Sequence, residues 1–101
     1  MAEELSGKQR RHLRALGHHL DPVLQIGHEG VSDAVVEQAN AQLEAHELIK
    51  VRVSENAPDD RRSSAAALAE RCNAHLAQVL GRTALLYRRR QEQPEIVLPK
   101  R

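Results

Sequence analysis

The chain has 101 residues, enough for one domain with a modest core, and 41% of them are hydrophobic. It contains no Phe or Trp and a single Tyr, Tyr87, which excludes RNA-binding folds that stack bases on several exposed aromatic rings. The net charge of +1 hides a segregation, because residues 5–20 carry four cations and no acid, whereas residues 31–47 carry four acids and neither Lys nor Arg. Such segregation is also typical of solvated faces in a small charged protein.

The first predicted element is a helix that begins after Ser6, a favourable N-cap residue, and ends at Gly17. Leu13 and Leu16 form its expected buried stripe, which leaves most of the cations on a basic outer face. Residues 23–26 (Val-Leu-Gln-Ile) then predict a short buried strand, because the run is mostly apolar and a glycine follows it.

A second helix is predicted from its expected N-cap, Ser32, to about residue 46, with acids in its first turns, where the helix dipole favours them. Its apolar stripe recurs at helical spacing and consists of Val35, Val36, Ala39 and Leu43. Residues 48–54 alternate between apolar and charged side chains and therefore predict a half-exposed strand, with Lys50 and Arg52 on its outer face.

The C-terminal half predicts one more helix and a hairpin. Asp59 or Asp60 caps a helix over residues 61–73, whose narrow apolar side consists of Ala65, Leu68, Ala69 and Cys72. Residues 76–80 and 83–88 predict two strands joined by a two-residue turn. The order αβαβαββ contains two strand–helix–strand crossovers and predicts an α/β fold, an α+β sandwich of three helices on a four-stranded mixed sheet. We expect residues 1–90 to form the domain and residues 91–101 to form a C-terminal tail.

The residues Gly27, His28, Glu29 and Gly30 stand between the first predicted strand and the second helix. Glycines at both ends of such a loop allow a ligand to approach the backbone, and the helix that follows offers unpaired N–H groups to an anion. KH domains clamp nucleotide backbone with a GXXG loop of this kind. Two glycines are also typical of a plain turn, and Glu29 places an anion beside the proposed anion site, so these four residues alone favour a turn.

Basic residues outside the first helix extend the candidate charged surface. Lys50 and Arg52 either continue it or simply solvate one face of the sheet, and the sequence does not separate the two readings. Three consecutive cations at residues 88–90 repel one another unless they are solvated or matched to a polyanion.

Metal binding and catalysis find little support in the sequence. The single cysteine, Cys72, excludes an internal disulfide, and with His75 it makes only one pair of ligands where a structural zinc site needs about four. No serine lies in a nucleophile-elbow motif. No apolar run approaches a membrane span and the N-terminal stretch lacks the pattern of a signal peptide, so we expect a soluble cytoplasmic protein without cofactor, metal or enzymatic activity.

Three segments occur together in a distinctive order and spacing: residues 5–36, residues 46–53 (HELIKVRV) and residues 79–88 (VLGRTALLYR). Together they resemble the CRM domain (chloroplast RNA splicing and ribosome maturation), and in particular the small bacterial YhbY-like proteins. The resemblance implies an RNA-binding domain similar in fold to the C-terminal domain of translation initiation factor three. It also implies association with ribosomal RNA in precursors of the large (50S) ribosomal subunit.

Carried onto this chain, the resemblance implies an RNA contact at the loop of Gly27, His28, Glu29 and Gly30. Glu29 departs from the family, whose loops often carry a neutral or basic residue there. Together with the charge pattern, the resemblance predicts an RNA-binding surface. This surface consists of the loop and of basic residues of the first helix and of later elements: Lys8, Arg11, Arg14, Lys50, Arg52, Arg88 and Arg89. We expect a monomer whose partner is RNA. The alternative is a protein-interaction module that docks on ribosomal proteins through the acidic second helix.

Overall fold

A computed structural model describes residues 4–101. The first three residues of the N-terminal stretch, which the sequence predicts not to be a signal peptide, lie outside this range. Seven helices and strands follow one another in the predicted order. They are α1 (Gly7–Gly17), β1 (Pro22–Ile26), α2 (Asp33–His46), β2 (Leu48–Val53), α3 (Arg61–Arg71), β3 (His75–Leu80) and β4 (Thr83–Tyr87).

The four strands form one mixed sheet in the order β1-β2-β4-β3. β1 pairs in parallel with β2, and β4 pairs antiparallel with both β2 and β3. The last two strands form the predicted hairpin, which turns at residues 81 and 82. The predicted α/β fold of three helices and a four-stranded mixed sheet is therefore confirmed.

Side-chain caps start all three helices where the sequence predicts them. Ser6 accepts a hydrogen bond from the Gln9 N–H at 3.1 Å, and the Gln9 side chain accepts one from the Ser6 N–H at 3.0 Å, which completes a capping box. Ser32 and Asp60 each accept from the backbone N–H three residues later. Because these caps are local, they can be identified from short stretches of sequence.

Each face of the sheet carries its own apolar cluster. α2 and α3 cover the first face, which holds the larger cluster; its fully buried members include Ile26, Ala39, Leu43, Val51, Leu68 and Leu86. α1 and the C-terminal segment cover part of the second face, where the smaller cluster consists of Leu5, Leu13, Leu48, Ala77, Leu85 and Tyr87. The sheet thus forms the middle of three layers, and α1 leaves some of the second face uncovered.

Two expectations about burial are wrong, and both concern this partly covered face. Leu16 is 44% exposed, because the buried side of α1 runs through Leu13 and Gly17, one helical turn apart. Residues 23–26 are buried on one side only: Leu24 and Ile26 face the core, whereas Val23 is 43% exposed. β1 lies at the edge of the sheet, where Val23 lines an open groove together with Leu16 and Leu20.

Gly17 is buried because α1 approaches the sheet closely at this point. A Cβ atom added there would lie 2.6 and 2.8 Å from the two methyl groups of Leu85. We expect Gly17→Val to destabilise the fold by about 1–3 kcal/mol through overpacking, measured by chemical denaturation. Gly17→Ala should cost less, because the Leu85 methyl groups can move. Ala15→Val, on the exposed side of the same helix, controls for helix propensity, and equal stability of Gly17→Val and Ala15→Val would contradict this close packing.

Residues 91–101 contain no helix or strand, yet they pack against the rest of the molecule. Ile96 and Leu98 pack against the smaller apolar cluster, which includes Leu13 and Tyr87. The carboxylate of Glu47, a buried residue between α2 and β2, accepts the N–H groups of residues 90, 95 and 96 at 2.7–2.9 Å. The boundary at residue 90 stays a prediction, and the segment after it forms part of the layer that contains α1.

No helix within residues 4–101 combines the length and the apolar character needed to cross a membrane.

Candidate nucleic-acid interface

Gly27, His28, Glu29 and Gly30 form a tight turn after β1, which we call the GxxG turn. The Gly30 N–H donates to the Gly27 carbonyl at 2.9 Å, which closes the turn. Gly30 adopts a φ of +70°, a left-handed conformation that glycine accepts readily. The side chains of His28 and Glu29 are 82% and 76% exposed, with Nε2 and Oε1 4.0 Å apart. The turn therefore holds its two central residues out from the protein.

Contacts from the α3 side of the molecule fix this turn. Arg71 donates to the Val31 carbonyl at 2.8 Å and to the Asp33 carboxylate at 2.6 Å. Gly30 is buried against Pro58, whose Cγ would lie 3.1 Å from an added Cβ. No local signal in the sequence predicts this role of Arg71, because its contacts join residues about 40 positions apart.

The outer side of the turn is open. A Cβ atom added at Gly27 would meet nothing within 4 Å, and Gly27 does not adopt a positive φ. Within the described residues, the N–H groups of His28 and Glu29 have no hydrogen-bond partner in the protein. An anion can therefore reach the backbone here without displacing protein atoms.

Lys50 and Arg52 lie on the uncovered part of the second sheet face. Arg52 is the direct cross-strand neighbour of Gln25 on one side and of Thr83 on the other. Since alternate residues of a strand share a face, Lys50 and Arg52 form one row along β2. Gly27 follows Gln25 by two residues, so the row leads toward the GxxG turn.

A groove between α1 and the sheet connects this row to the basic helix. Its volume is about 320 Å³, and its lining includes Arg14, His18, Lys50, Gln78, Leu80 and Thr83. The structure thus brings predicted cations from α1 and β2 together. His18, Gln78 and Thr83 were not predicted as site residues, although the alternation of the hairpin strands indicates an exposed face for Gln78 and Thr83.

The other cations of α1 differ in their surroundings. Lys8 and Arg11 are exposed on the outer side of the helix, where the sequence predicts them. Arg10 instead donates to the Leu76 carbonyl of β3 at 2.9 Å and so ties the helix to the edge strand. α1 therefore presents Lys8, Arg11 and Arg14 outward, while Arg10 contributes to its docking.

Four arginines elsewhere in the described chain face carboxylates: Arg71, Arg82, Arg88 and Arg90. The closest nitrogen and oxygen atoms are 3.7 Å apart for Arg82 and Glu55 and 3.0 Å apart for Arg90 and Glu95. By contrast, Lys8, Arg11, Arg14, Lys50 and Arg52 of α1 and β2 form no ion pair within residues 4–101, and neither do Arg61, Arg62 and Arg89 elsewhere. The uncovered sheet face and the outer side of α1 therefore carry uncompensated positive charge.

The three consecutive arginines do not act as one patch. Arg88 is half-buried, donates to the Asn40 side chain at 2.8 Å and to the Cys72 carbonyl at 2.7 Å, and lies 3.8 Å from Glu44. Arg90 donates to carbonyls at the end of α2. Arg89 alone of the three is exposed and has no acidic partner within residues 4–101. Arg88 thus forms its hydrogen bonds with other residues of the fold. Three consecutive arginines in the sequence do not predict these contacts.

The acidic charges of the second helix are also partly used within the fold. Asp33 pairs with Arg71 and Glu44 lies near Arg88, while Glu47 is fully buried. Of the four predicted acids, Glu37 is exposed and has no ion-pair partner within the part of the chain that is described. Three of the four acids, Asp33, Glu37 and Glu44, therefore remain exposed, although two of them lie beside an arginine.

Cys72 lies in the larger apolar cluster, and its burial raises the pKa of the thiol. Within residues 4–101, no group of three His, Cys, Asp or Glu side chains lies close enough to hold a metal ion.

Comparison with known proteins identifies the family. The family model of the CRS1/YhbY (CRM) domain matches residues 5–88. YqeI of Bacillus subtilis, named a probable RNA-binding protein, is 43% identical over 95 residues, which cover 94% of this chain and 99% of that protein. A Haemophilus influenzae protein named RNA-binding protein is 34% identical over 97 residues, covering 96% and 97% of the two chains.

A solved structure agrees with the family and with the fold. The solution structure of SAV1595 from Staphylococcus aureus, a hypothetical protein described as a candidate RNA-binding protein, superposes with a TM-score of 0.81. The two sequences are 43% identical, and the match covers 94% of this chain and 99% of the other. On these matches, the chain belongs to the CRS1/YhbY (CRM) domain family.

Proposed function

We propose that this chain binds RNA through a surface made of the outer side of α1, the row of Lys50 and Arg52, and the GxxG turn. The observation that carries the proposal is that Arg14 and Lys50 line one groove, while Arg52 continues the row of Lys50 toward a turn with open backbone N–H groups. None of these three cations has an ion-pair partner within residues 4–101. The relatives named as RNA-binding proteins support it.

Phosphate groups are the chemical feature that this surface suits. Lys8, Arg11, Arg14, Lys50 and Arg52 would neutralise phosphates, while the His28 and Glu29 N–H groups would donate to a phosphate oxygen. Because the surface offers few rings for stacking, selectivity would depend on the shape of a folded RNA. We expect salt-dependent binding with Kd values on the order of micromolar or weaker.

The resemblance to YhbY-like proteins also points to a particular RNA and cellular location. We propose that the target is ribosomal RNA in precursors of the large subunit, that the protein acts in the cytoplasm as a monomer, and that it performs no catalytic step. The support is the resemblance to YhbY-like proteins described above. Docking on ribosomal proteins through α2 is the second candidate: Asp33, Glu37 and Glu44 are exposed, but Arg71 and Arg88 already lie beside Asp33 and Glu44, and Glu47 is buried.

The two glycines of the turn provide the test. We expect Gly27→Leu to fold as stably as the wild type, because nothing lies within 4 Å of a Cβ at that position. Its affinity for large-subunit RNA fragments should fall about tenfold, as expected when a side chain blocks one hydrogen bond to a charged phosphate. Fluorescence anisotropy with labelled RNA measures the affinity, and thermal unfolding measures the stability.

Gly30 is a poorer position for this test, because its positive φ and its contact with Pro58 make a substitution there destabilising. Ala66→Leu is the matched control, since it adds comparable apolar bulk to an exposed position on α3, across the sheet. Absence of salt-dependent RNA binding by the wild type would overturn the proposed function. Unchanged affinity of Gly27→Leu would remove the turn from the binding surface.

A further inference from the structure

A second groove lies at the opposite end of the sheet, where β3 begins and β4 ends. His75 pairs with Tyr87 at this end, whereas the GxxG turn follows the pairing of Ile26 with Val53 at the other. The groove has a volume of about 580 Å³, and its lining residues are Asn40, Glu44, Asn73, His75, Tyr87, Arg88, Arg89 and Gln91.

The groove presents one aromatic ring. The His75 and Tyr87 rings stack with centroids 6.2 Å apart and planes 19° from parallel. Because Tyr87 is only 3% exposed, the half-buried His75 ring is the one that a ligand can reach. Burial, together with the nearby charge of Arg10, lowers the pKa of His75 and so favours the neutral imidazole.

Polar groups surround this ring. Asn40 accepts a hydrogen bond from Arg88 through its carbonyl oxygen, and within residues 4–101 its NH₂ group and the Asn73 side chain have no partner. Arg89 adds an exposed cation without an acidic partner in the described chain. Glu44, the acid among the lining residues, lies 3.8 Å from Arg88. The groove therefore combines a neutral ring, two amides and a free positive charge.

We propose that this groove binds one unpaired nucleotide of the RNA, with its base against the His75 ring and its phosphate at Arg89. Single-stranded bases stack on aromatic side chains, histidine included. Asparagine amides donate to and accept from base edges, and arginine forms paired hydrogen bonds with phosphate. The proposal rests on the RNA-binding function proposed above and adds a contact with an unstacked base.

The geometry allows one RNA chain to reach both grooves. His75 lines this groove, whereas Gln78 and Leu80 line the groove beside α1. His75 and Leu80 are the first and last residues of β3, about 17 Å apart at the rise of an extended strand. Between them, Arg10 donates a hydrogen bond to the Leu76 carbonyl of β3. An RNA segment that follows β3 would therefore pass Arg10 and reach Arg14 and Lys50 in the groove beside α1.

Substitution of His75 separates stacking from other contributions. We expect His75→Ala to bind a single-stranded large-subunit RNA segment about tenfold more weakly, within the range for loss of one base–aromatic stack. His75→Phe should retain affinity, since it keeps an aromatic ring. Arg89→Glu should also weaken binding, and because Arg89 is exposed this variant stays informative if His75→Ala is unstable. Arg62→Glu, on the exposed side of α3, is the charge-matched control.

The same measurements distinguish this proposal from the general one. If Gly27→Leu weakens binding while His75→Ala and Arg89→Glu bind as the wild type does, the groove proposal is overturned and the RNA-binding function stands. If the wild type binds no RNA, both are overturned. Equal losses in His75→Ala and His75→Phe would contradict stacking. Pairing the RNA segment with its complement should abolish the difference between wild type and His75→Ala, and persistence of that difference would contradict recognition of an unpaired base.

Discussion

Replacing Glu47 with alanine is expected to destabilise the protein by about 3–5 kcal/mol, because it leaves three partly buried N–H groups without their acceptor and opens a hole at a buried position. The Glu47 carboxylate accepts from Arg90 and Glu95 and from Ile96, at 2.8, 2.7 and 2.9 Å respectively. Glu47 also adopts a φ of +64° at the end of α2, where glycine is the usual residue. The contacts of its side chain explain why a non-glycine residue is stable there.

The effect of Glu47 should depend on pH. Burial opposes ionisation of its carboxyl group, but the N–H donors of Arg90, Ile96 and Glu95, together with the Arg90 charge, leave the pKa below its usual 4.5. A group whose pKa is lower in the folded state stabilises the fold above the unfolded pKa, and this contribution is lost as the pH falls through the folded pKa.

Urea denaturation of the wild type and Glu47→Gln between about pH 3 and pH 7 measures this dependence. The difference in the free energy of unfolding should be largest near neutral pH and should narrow in acid. Glu92→Gln, which alters an exposed acid in the same segment, serves as the control and should show little difference at any pH. A difference between wild type and Glu47→Gln that does not change with pH would contradict an ionised Glu47 as the acceptor.

The largest loss of RNA affinity is expected for the double variant Arg14→Glu/Lys50→Glu. These two side chains line the same groove from different elements, and neither has an acidic partner within residues 4–101. We expect the affinity to fall roughly a hundredfold, about tenfold for each lost contact with a phosphate. The slope of log affinity against log salt should become shallower by about 1–2, since fewer counterions are released.

The matched control for the double variant is Arg61→Glu/Arg62→Glu, which reverses two exposed cations on α3, the helix on the other side of the sheet. Titration of each variant with the same RNA fragment at several salt concentrations measures both the affinity and the slope. If the control loses as much affinity as Arg14→Glu/Lys50→Glu, the effect is one of net charge and the proposed surface is wrong. Unchanged binding in Arg14→Glu/Lys50→Glu would have the same consequence.

The sequence predicts the elements well because the signals that begin and end them are local. Ser6, Ser32 and Asp60 cap helices through groups three residues away, and the alternation of residues 48–54 identifies the sides of β2. Burial at the edge of the sheet depends on which strands have neighbours and which faces a helix covers. The predicted burial of Leu16 is therefore wrong, because no local pattern in the sequence indicates where α1 lies on the sheet.

The candidate site is less predictable for a related physical reason. Whether a cation is available to a ligand depends on acids and carbonyls that the fold brings to it from distant positions. Arg88 and Arg89 are neighbours in the sequence, yet Arg88 contacts Asn40, 48 positions away, whereas Arg89 is exposed. Composition and spacing identified the basic segments, but only the tertiary contacts distinguish the cations that hold the fold together from those left free.

The two glycines of the turn are subject to different constraints, although they stand three residues apart. Gly30 is needed by the chain itself, through its left-handed backbone and its contact with Pro58. Gly27 faces open space and meets no such requirement. In a library of variants sorted only for cellular abundance, Gly27 should therefore tolerate many side chains and Gly30 few. A second sort for RNA capture should restrict the side chains accepted at Gly27 as well. Comparison of the two sorts would then show that Gly30 is required for folding and Gly27 for RNA binding.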